Sequence, residues 1–399
     1  SIKLTENRFI NFQLPASIRV QSMKSRLPAI PSSDTENMKK VIHHALNNSK
    51  VYSLNEFIDL RKKVIIVIDD YTRNTPILPS IEILYEKLRL IGVKNEQIFV
   101  LTSNGTHRKM NKEEIYQRLG SLSDVIKVVQ HDCYDKNNLF YVGDIDGVPV
   151  TLNNLLQNDE ANVIGIGSIM AHKFSGWSGG GKIICPGITG YETIFLSHKK
   201  AIMEEQISPG QSNNWFRTFI NKVSKIAGLK YLINFIPGTK GVFSVLAGEP
   251  ESVFKGGVEA AKNNLTDWFE NHFDIAIISA YPAIYDLWQG AKAFYLGDMV
   301  LKDGGTIILA TPLNEVMGDH PDFLSTLNMD SLHIRNLLDK NLIDDPLAAV
   351  AAYAIKNISE HSTLRVVSTN PAAQHIKILD HFFCLAPHED IPQILHKYL

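Results

Sequence analysis

Lys63-Val64-Ile65-Ile66-Val67-Ile68-Asp69-Asp70-Tyr71-Thr72-Arg73-Asn74-Thr75-Pro76 decides the fold class. Its first six residues form an almost unbroken β-branched run, the kind of strand that a parallel sheet buries on both faces. The run stops at two carboxylates and a polar turn. A helical apolar period follows from Ile81 to Leu90 and closes at Gly92, and Thr75 before Pro76 suits an N-cap with proline in the first turn. The pattern then recurs. Gln97–Leu101 leads into Thr102-Ser103-Asn104-Gly105-Thr106-His107-Arg108 and another helix, and Asn162–Ile166 leads into a glycine-rich segment from Ser175 to Gly190. Strand, polar turn and helix in alternation predict an α/β fold.

Residues 200–265 read as largely helical, interrupted at Pro209, Pro237-Gly238 and Gly248. Phe273–Ala280, Gly305–Ala310 and Leu364–Ser368 restart the strand pattern. At 399 residues the chain exceeds the ~250–300 at which single cores usually split. The expectation is two α/β domains, 1–268 and 269–399, with mostly parallel sheets flanked by helices and the active site in the crevice between them.

Composition narrows the function classes. With 44% hydrophobic and 21% charged residues and a net charge of -2, no global field draws nucleic acid or an anionic membrane. An anionic ligand must therefore be held by local charges. No apolar run reaches the ~18–20 residues of a membrane span, and Ser1-Ile2-Lys3-Leu4-Thr5-Glu6-Asn7 lacks the pattern of a signal peptide. Cys133, Cys185 and Cys384 are far apart and form no CxxC pair, which fits a reducing compartment; the expected location is cytoplasmic. Cys185 is either a reactive thiol or a small buried hydrophobe.

Open parallel sheets gather ligands at the carboxyl ends of their strands, so the polar turns predict Asp70, Arg73, His107 and His172 around one crevice. Arg73 suits a bidentate grip on a carboxylate; the plainer alternative is a salt bridge to Asp70. The amides of Thr72–Thr75, at a helix N-terminus, suit a phosphate. His107 is either a general base working near neutral pH or a polar surface residue.

The densest signal is Ala171-His172-Lys173-Phe174-Ser175-Gly176-Trp177-Ser178-Gly179-Gly180-Gly181-Lys182-Ile183-Ile184-Cys185-Pro186-Gly187, with His198 beyond it. Gly176 to Lys182 fits the G-x-x-x-x-G-K of a nucleotide-triphosphatase loop. That loop needs Ser or Thr where Ile183 stands, and Pro186-Gly187 breaks the helix that should follow. What remains is a lysine on a glycine-rich loop between two histidines. Lysine is a natural covalent tether, glycines admit a bulky group, and His198 suits a soft metal. A glycine-rich lid with an incidental lysine is the plainer account. Gln289 and Lys292 share a helix face and suit a carboxylate or keto oxygen; the alternative is a solvated face, against which Trp288 and Gly290-Ala291 argue.

Together the four segments resemble the lactate racemase family of nickel-pincer enzymes. They are Asp69–Pro76, Asn104–Arg108, His172 with Lys182 and His198, and Gln289-x-x-Lys292, in order over residues 69–292. The resemblance implies an isomerase, a racemase or epimerase. It would invert C2 of a small 2-hydroxy acid (lactate, malate or a sugar acid such as gluconate) by proton-coupled hydride transfer through a 2-keto acid. It implies a nickel pyridinium-3,5-bisthiocarboxylic acid mononucleotide attached to Lys182, with His198 as a nickel ligand. Proteins that make this cofactor would then be partners, and Lys182 would be unmodified in protein made without them. His107 and His172 resemble the paired acid/base residues, Arg73 the carboxylate clamp, and Gln289 and Lys292 the substrate-orienting pair. Asp70, Thr72 and Thr75 would stand beside the cofactor. Residues 1–268 would then carry the tether and the histidines, and 269–399 the orienting pair. Phe174, Trp177 and Trp288 are of the kind that shape a pocket. The alternative from another class is a non-catalytic carboxylate-binding or sensing module on the same fold, in which at least one of Lys182, His198, His107 or His172 would be expected to be missing.

Overall fold

Lys63–Asp69 (β1) is a strand whose residues Val64–Ile68 have no exposed surface, as a central parallel strand requires. The computed structural model describes residues 2–5, 8–14, 16–22, 29–31, 33–159, 161–203, 207–238, 241–265, 272–315, 318–375, 377–378, 381–382 and 391. β1 pairs with Ile98–Ser103 (β2), which pairs with Lys127–Gln130 (β3). On its other side lie Ala161–Ser168 (β4), Leu229–Gly238 (β5) and Gly241–Gly248 (β6), giving the order β6-β5-β4-β1-β2-β3. All neighbours are parallel except β5 and β6. The chain runs outward from β1 to β3, then starts again at β4. The strand order therefore reverses between β1 and β4, and ligands gather at such a switch point.

Residues 200–265 are not largely helical. Helices Trp215–Ile226 and Pro250–Leu265 frame the antiparallel pair β5/β6. A short buried apolar run such as Leu229–Ile236 cannot be told from a buried helix by periodicity alone. The aromatic and β-branched Tyr231, Ile233, Phe235 and Ile236 ending at Pro237-Gly238 are the strand signal. The hairpin Leu139–Ile145/Val148–Asn153 is a further pair that the sequence reading did not anticipate.

Helix Ile77–Ile91 ends at Gly92 with φ 106, the left-handed cap that glycine tolerates. It starts on Pro76 and not on a Thr75 cap, because the Thr75 hydroxyl is turned to Asp69 and Ser168. This helix and Thr35–Asn47 lay Met38, Ile42, Ile81, Leu84 and Leu88 on Val64, Ile66 and Ile68. Each such side chain contributes ~1.5–3 kcal/mol by burial, so the strand ends stand on a stiff platform. The other face carries Gly165, where a Cβ would come within 2.9 Å of Ile183. Glycine there lets the Lys182 turn lie down on the sheet.

The chain forms two compact units, Met23–Asp267 and Trp268–Leu399 joined by Ser1–Ser22. The cut expected after residue 268 falls in 266–271, outside the described residues. A single cut also misses the start of the chain. Ile2–Lys3 and Phe9–Ile10 pair, and Leu4 and Ile10 share a core with Ile308, Ala310 and Val367. That unit's sheet is Phe273–Ser279 (β7), Leu301–Thr311 (β8) and Thr363–Ser368 (β9), all parallel, with helices Asp322–Leu327, Ser331–Lys340 and Pro346–Ser359. Both units are α/β. Among the described residues no helix is long and apolar enough to cross a membrane. Cys384 lies outside them.

Candidate functional site

Asp70 follows the end of β1 and is 2% exposed. Its Oδ1 accepts from the Thr72 N–H at 2.9 Å and the Thr72 hydroxyl at 2.6 Å, and its Oδ2 lies 2.5 Å from His107 Nδ1. Burial pushes the Asp70 carboxyl up, but the His107 imidazolium, its hydrogen bond and Arg73 outweigh burial and hold it below the usual range. Asp69 goes the other way: burial raises it, although the Thr75 hydroxyl donates to it at 2.6 Å. Thr75 Oγ is also 2.8 Å from Ser168 Oγ, joining β1 to β4 at the switch point.

His107 is held by the turn after β2. Its N–H donates to Asn104 O at 2.9 Å, the Asn104 amide donates to Arg108 O at 2.9 Å, and Gly105, at φ 56, donates to Gly187 O at 2.9 Å. Its side chain is 13% exposed, so it is not a surface residue. With Nδ1 on a carboxylate, the neutral ring carries its hydrogen there and its lone pair at Nε2.

The salt bridge from Arg73 to Asp70 does not form. Among the described residues Arg73 makes no ion pair, although its charge lowers both Asp69 and Asp70. Arg118, which the sequence reading passed over, holds the turn instead. From helix Lys112–Leu119 its guanidinium donates to the carbonyls of Thr75 at 3.1 Å, Asp70 at 2.5 Å, and Arg73. No local pattern marks it, since its partners lie more than 40 residues upstream.

Beyond β4, Ala171–His172 pairs with Gly176–Trp177 in a short antiparallel ladder. His172 Nδ1 lies 3.2 Å from the Phe174 N–H and 3.3 Å from Ser175 Oγ, while the Ser175 hydroxyl donates to Trp177 O at 2.7 Å. Ser175 thus turns a lone pair toward His172. A ring hydrogen on Nδ1 donates to that lone pair and leaves the Nε2 of the neutral ring open to take a proton, while an unprotonated Nδ1 accepts from Phe174, so each tautomer has a partner. Phe174 stands edge-on to His172 at 5.7 Å and to His198 at 5.5 Å, and Phe216 meets His198 at 4.9 Å. His198 is 8% exposed, and its Nδ1 donates to Ile194 O at 2.8 Å. That bond places the lone pair of the neutral ring at Nε2, the second-shell pattern of metal-binding imidazoles. Among the described residues no three His, Cys, Asp or Glu side chains converge as a metal cage.

Lys182 is half-buried in a 3₁₀ turn, Gly180–Ile183, and no helix begins before Tyr191. The three glycines before it are pressed against this chain's own core. A Cβ at Gly179 would lie 2.6 Å from Ile169, at Gly180 2.7 Å from Phe254, and at Gly181 2.4 Å from Ser224 Oγ. The segment is clamped, so the reading as a loose lid fails. Trp177 belongs to the core beside Ile169 and Ile236, its indole donating to Gly210 O at 2.9 Å. Cys185 is fully buried and its thiol is pushed up to about 12 by that burial; it is the small hydrophobe, not a reactive thiol.

In the other unit Gln289 is 2% exposed, which excludes a solvated face. Its N–H is capped by Asp286 Oδ1 at 2.7 Å, and Lys292 Nζ donates to its Oε1 at 2.7 Å. Trp288 stacks on His320 at 4.2 Å, and His320 Nδ1 lies 2.7 Å from Asp345.

A family model for the lactate racemase N-terminal domain matches residues 6–210. A lactate racemase from Lactiplantibacillus plantarum is 26% identical over 309 residues, covering 75% of this chain and 70% of the relative. One from Thermoanaerobacterium thermosaccharolyticum is 25% identical over 309 residues, covering 75% and 71%. Among solved structures, the lactate racemase apoprotein of T. thermosaccharolyticum has a TM-score of 0.78 at 22% identity, covering 94% of this chain and 88% of that one. A protein from Thermotoga maritima has a TM-score of 0.66 at 21% identity, covering 92% and 94%. These two structural likenesses show the fold.

Proposed function

The chain belongs to the lactate racemase family and is an isomerase of the racemase type, and on that premise we propose that it inverts C2 of a small 2-hydroxy acid with two histidines as alternating acid and base. Lactate, which names both curated relatives, is the substrate to test first, against malate and gluconate.

The observation that carries this reading is the unlike support of the two imidazoles. His107 is backed at Nδ1 by a buried carboxylate, and His172 by a hydroxyl and a backbone N–H that serve either tautomer. One histidine then holds a proton while the other takes one from the substrate hydroxyl. Each inversion exchanges the two states, and the reverse reaction starts from the exchanged pair. Arg73, which makes no ion pair among the described residues, grips the substrate carboxylate in a bidentate fork. Gln289 and Lys292 orient the substrate through the amide and ammonium.

The C2 hydrogen is not acidic, so proton transfer alone does not invert the centre. When bound, a nickel pyridinium-3,5-bisthiocarboxylic acid mononucleotide would supply a reversible hydride acceptor for passage through a planar 2-keto acid. The residues fit such a group. Lys182 presents an amine from a clamped turn, and His198 has the tautomer of a metal ligand at Nε2. Asp70, Thr72 and Thr75 would flank it.

The test is protein produced together with the cofactor-making proteins. Intact mass should exceed the bare chain by one adduct at Lys182, with about one nickel per chain, and each pure stereoisomer should lose optical purity. A bare-chain mass without nickel, or retention of optical purity for all three substrates, would sink the reading.

A further inference from the structure

Arg217 lies on the amphipathic helix Trp215–Ile226, next to the Phe216, Phe219, Ile220 and Val223 face, and is 4% exposed. Among the described residues it has no carboxylate partner. Its guanidinium sits 4.3 Å over the Phe254 ring, and its Nε has no hydrogen bond. Burial pulls its ordinary value down to about 9. A packing residue at this site need not be an arginine, since an uncompensated buried cation is costly.

What the guanidinium does is hold two carbonyls. Nη2 donates to Trp177 O and Nη1 to Gly179 O at 3.3 Å. Each carbonyl has a second donor. Trp177 O also takes the Ser175 hydroxyl at 2.7 Å, which is what turns the Ser175 lone pair toward His172 Nδ1. Gly179 O also takes the backbone N–H of Lys182 at 3.3 Å. One rigid fork thus links the hydroxyl that serves His172 to the turn that carries Lys182, and a fork fixes two acceptors where an ammonium fixes points singly.

We propose that Arg217 is a positioning residue that sets His172 and Lys182 in register with each other, acting through the carbonyls of Trp177 and Gly179. The assignment of His172 as acid/base and Lys182 as tether rests on the function proposed above; the physical link does not.

The test uses the full chain without cofactor. Hydrogen–deuterium exchange at the His172 ring carbon, followed against pH by peptide mass, reports that imidazole. Competitive acetylation at Lys182, also against pH, reports that amine. Arg217→Met should change both profiles, with rates altered on the order of tenfold, as for other second-shell losses. Arg217→Lys should recover only part of either. Ser175→Ala should move the His172 profile and leave Lys182 as in the wild type. Wild-type profiles at both residues in a folded Arg217→Met overturn the proposal. If Arg217→Met does not fold, wild-type profiles in both Arg217→Lys and Ser175→Ala overturn it equally. Failure of the wild type to take up cofactor would refute the proposed function and leave these profiles standing.

Discussion

Asp70→Asn isolates the charge beneath His107. Asparagine keeps the shape, and its carbonyl oxygen still accepts from Thr72, but an amide N–H now faces His107 Nδ1 across 2.5 Å. The lost interaction is a charge-assisted hydrogen bond between side chains 13% and 3% exposed. Hydrogen bonds to charged groups contribute about 1.5–3 kcal/mol. In a unit spanning Met23–Asp267 that corresponds to a fall in Tm of roughly 3–12 °C. The sign with pH follows from the direction of the Asp70 shift. Its carboxyl is lowered from 3.8 on folding, so the stability it adds is complete well above that value and is lost as pH falls through it. Calorimetry should therefore find the full gap between wild type and variant at neutral pH, narrowing below about pH 5. The chemistry should suffer more. An amide donor at Nδ1 forces the ring hydrogen to Nε2, so the neutral ring can no longer take a hydroxyl proton. The same exchange in a Ser-His-Asp triad costs about 10⁴-fold, and a loss of roughly three to four orders is expected in the optical-purity assay. Equal melting at neutral pH, or turnover within about tenfold of wild type, would refute the reasoning.

Lys182→Ala should fold and carry no adduct by intact mass; an adduct of unchanged mass would place the tether elsewhere. His198→Ala should keep the Lys182 adduct and lose nickel by elemental analysis, and full nickel content would remove His198 from the coordination sphere. Gly181→Ala drives a Cβ to 2.4 Å from Ser224 Oγ and 3.2 Å from Ile220 O, and should destabilise by about 1–3 kcal/mol; an unchanged Tm would mean the turn is not clamped. Cys133 and Cys185, both buried with thiols raised to about 12 by burial, should resist alkylation in native protein at pH 8 and react after unfolding. Rapid native labelling of either peptide would contradict their burial.

Much of the platform was legible because its signals are local. The Lys63–Ile68 run, the Gly92 cap and the polar turns each lie within a few residues of what they specify, so β1, its helix and the turn bearing His107 could be read directly. Gln289 and Lys292 were legible for the same reason, being three apart on one face. β5 was missed because Leu229–Ile236 is buried on both sides and so shows no alternation. The Thr75 cap failed because a buried carboxylate six residues upstream competes for the hydroxyl. Arg118 and Arg217 were invisible because both act on carbonyls, which every residue has, across separations of 38 to 48 residues. Ser175 looked like one more small residue in a glycine-rich stretch until the fold set its hydroxyl between His172 and Trp177.

The strand pair at the start of the chain has a consequence for how the protein is made. Leu4 and Ile10 find their core against Ile308, Ala310 and Val367, so these apolar residues leave the ribosome long before their partners exist. At ~5–20 residues per second, the wait between them lasts roughly 15–60 s. Met23–Asp267 can collapse in that interval, while the leading segment stays unpaired beside it, open to chaperone capture or to the wrong sheet edge. A ribosome stalled near residue 300, with the central unit clear of the exit tunnel, should therefore display that unit folded behind a protease-sensitive first segment, which should become resistant only once β8 and β9 have been released.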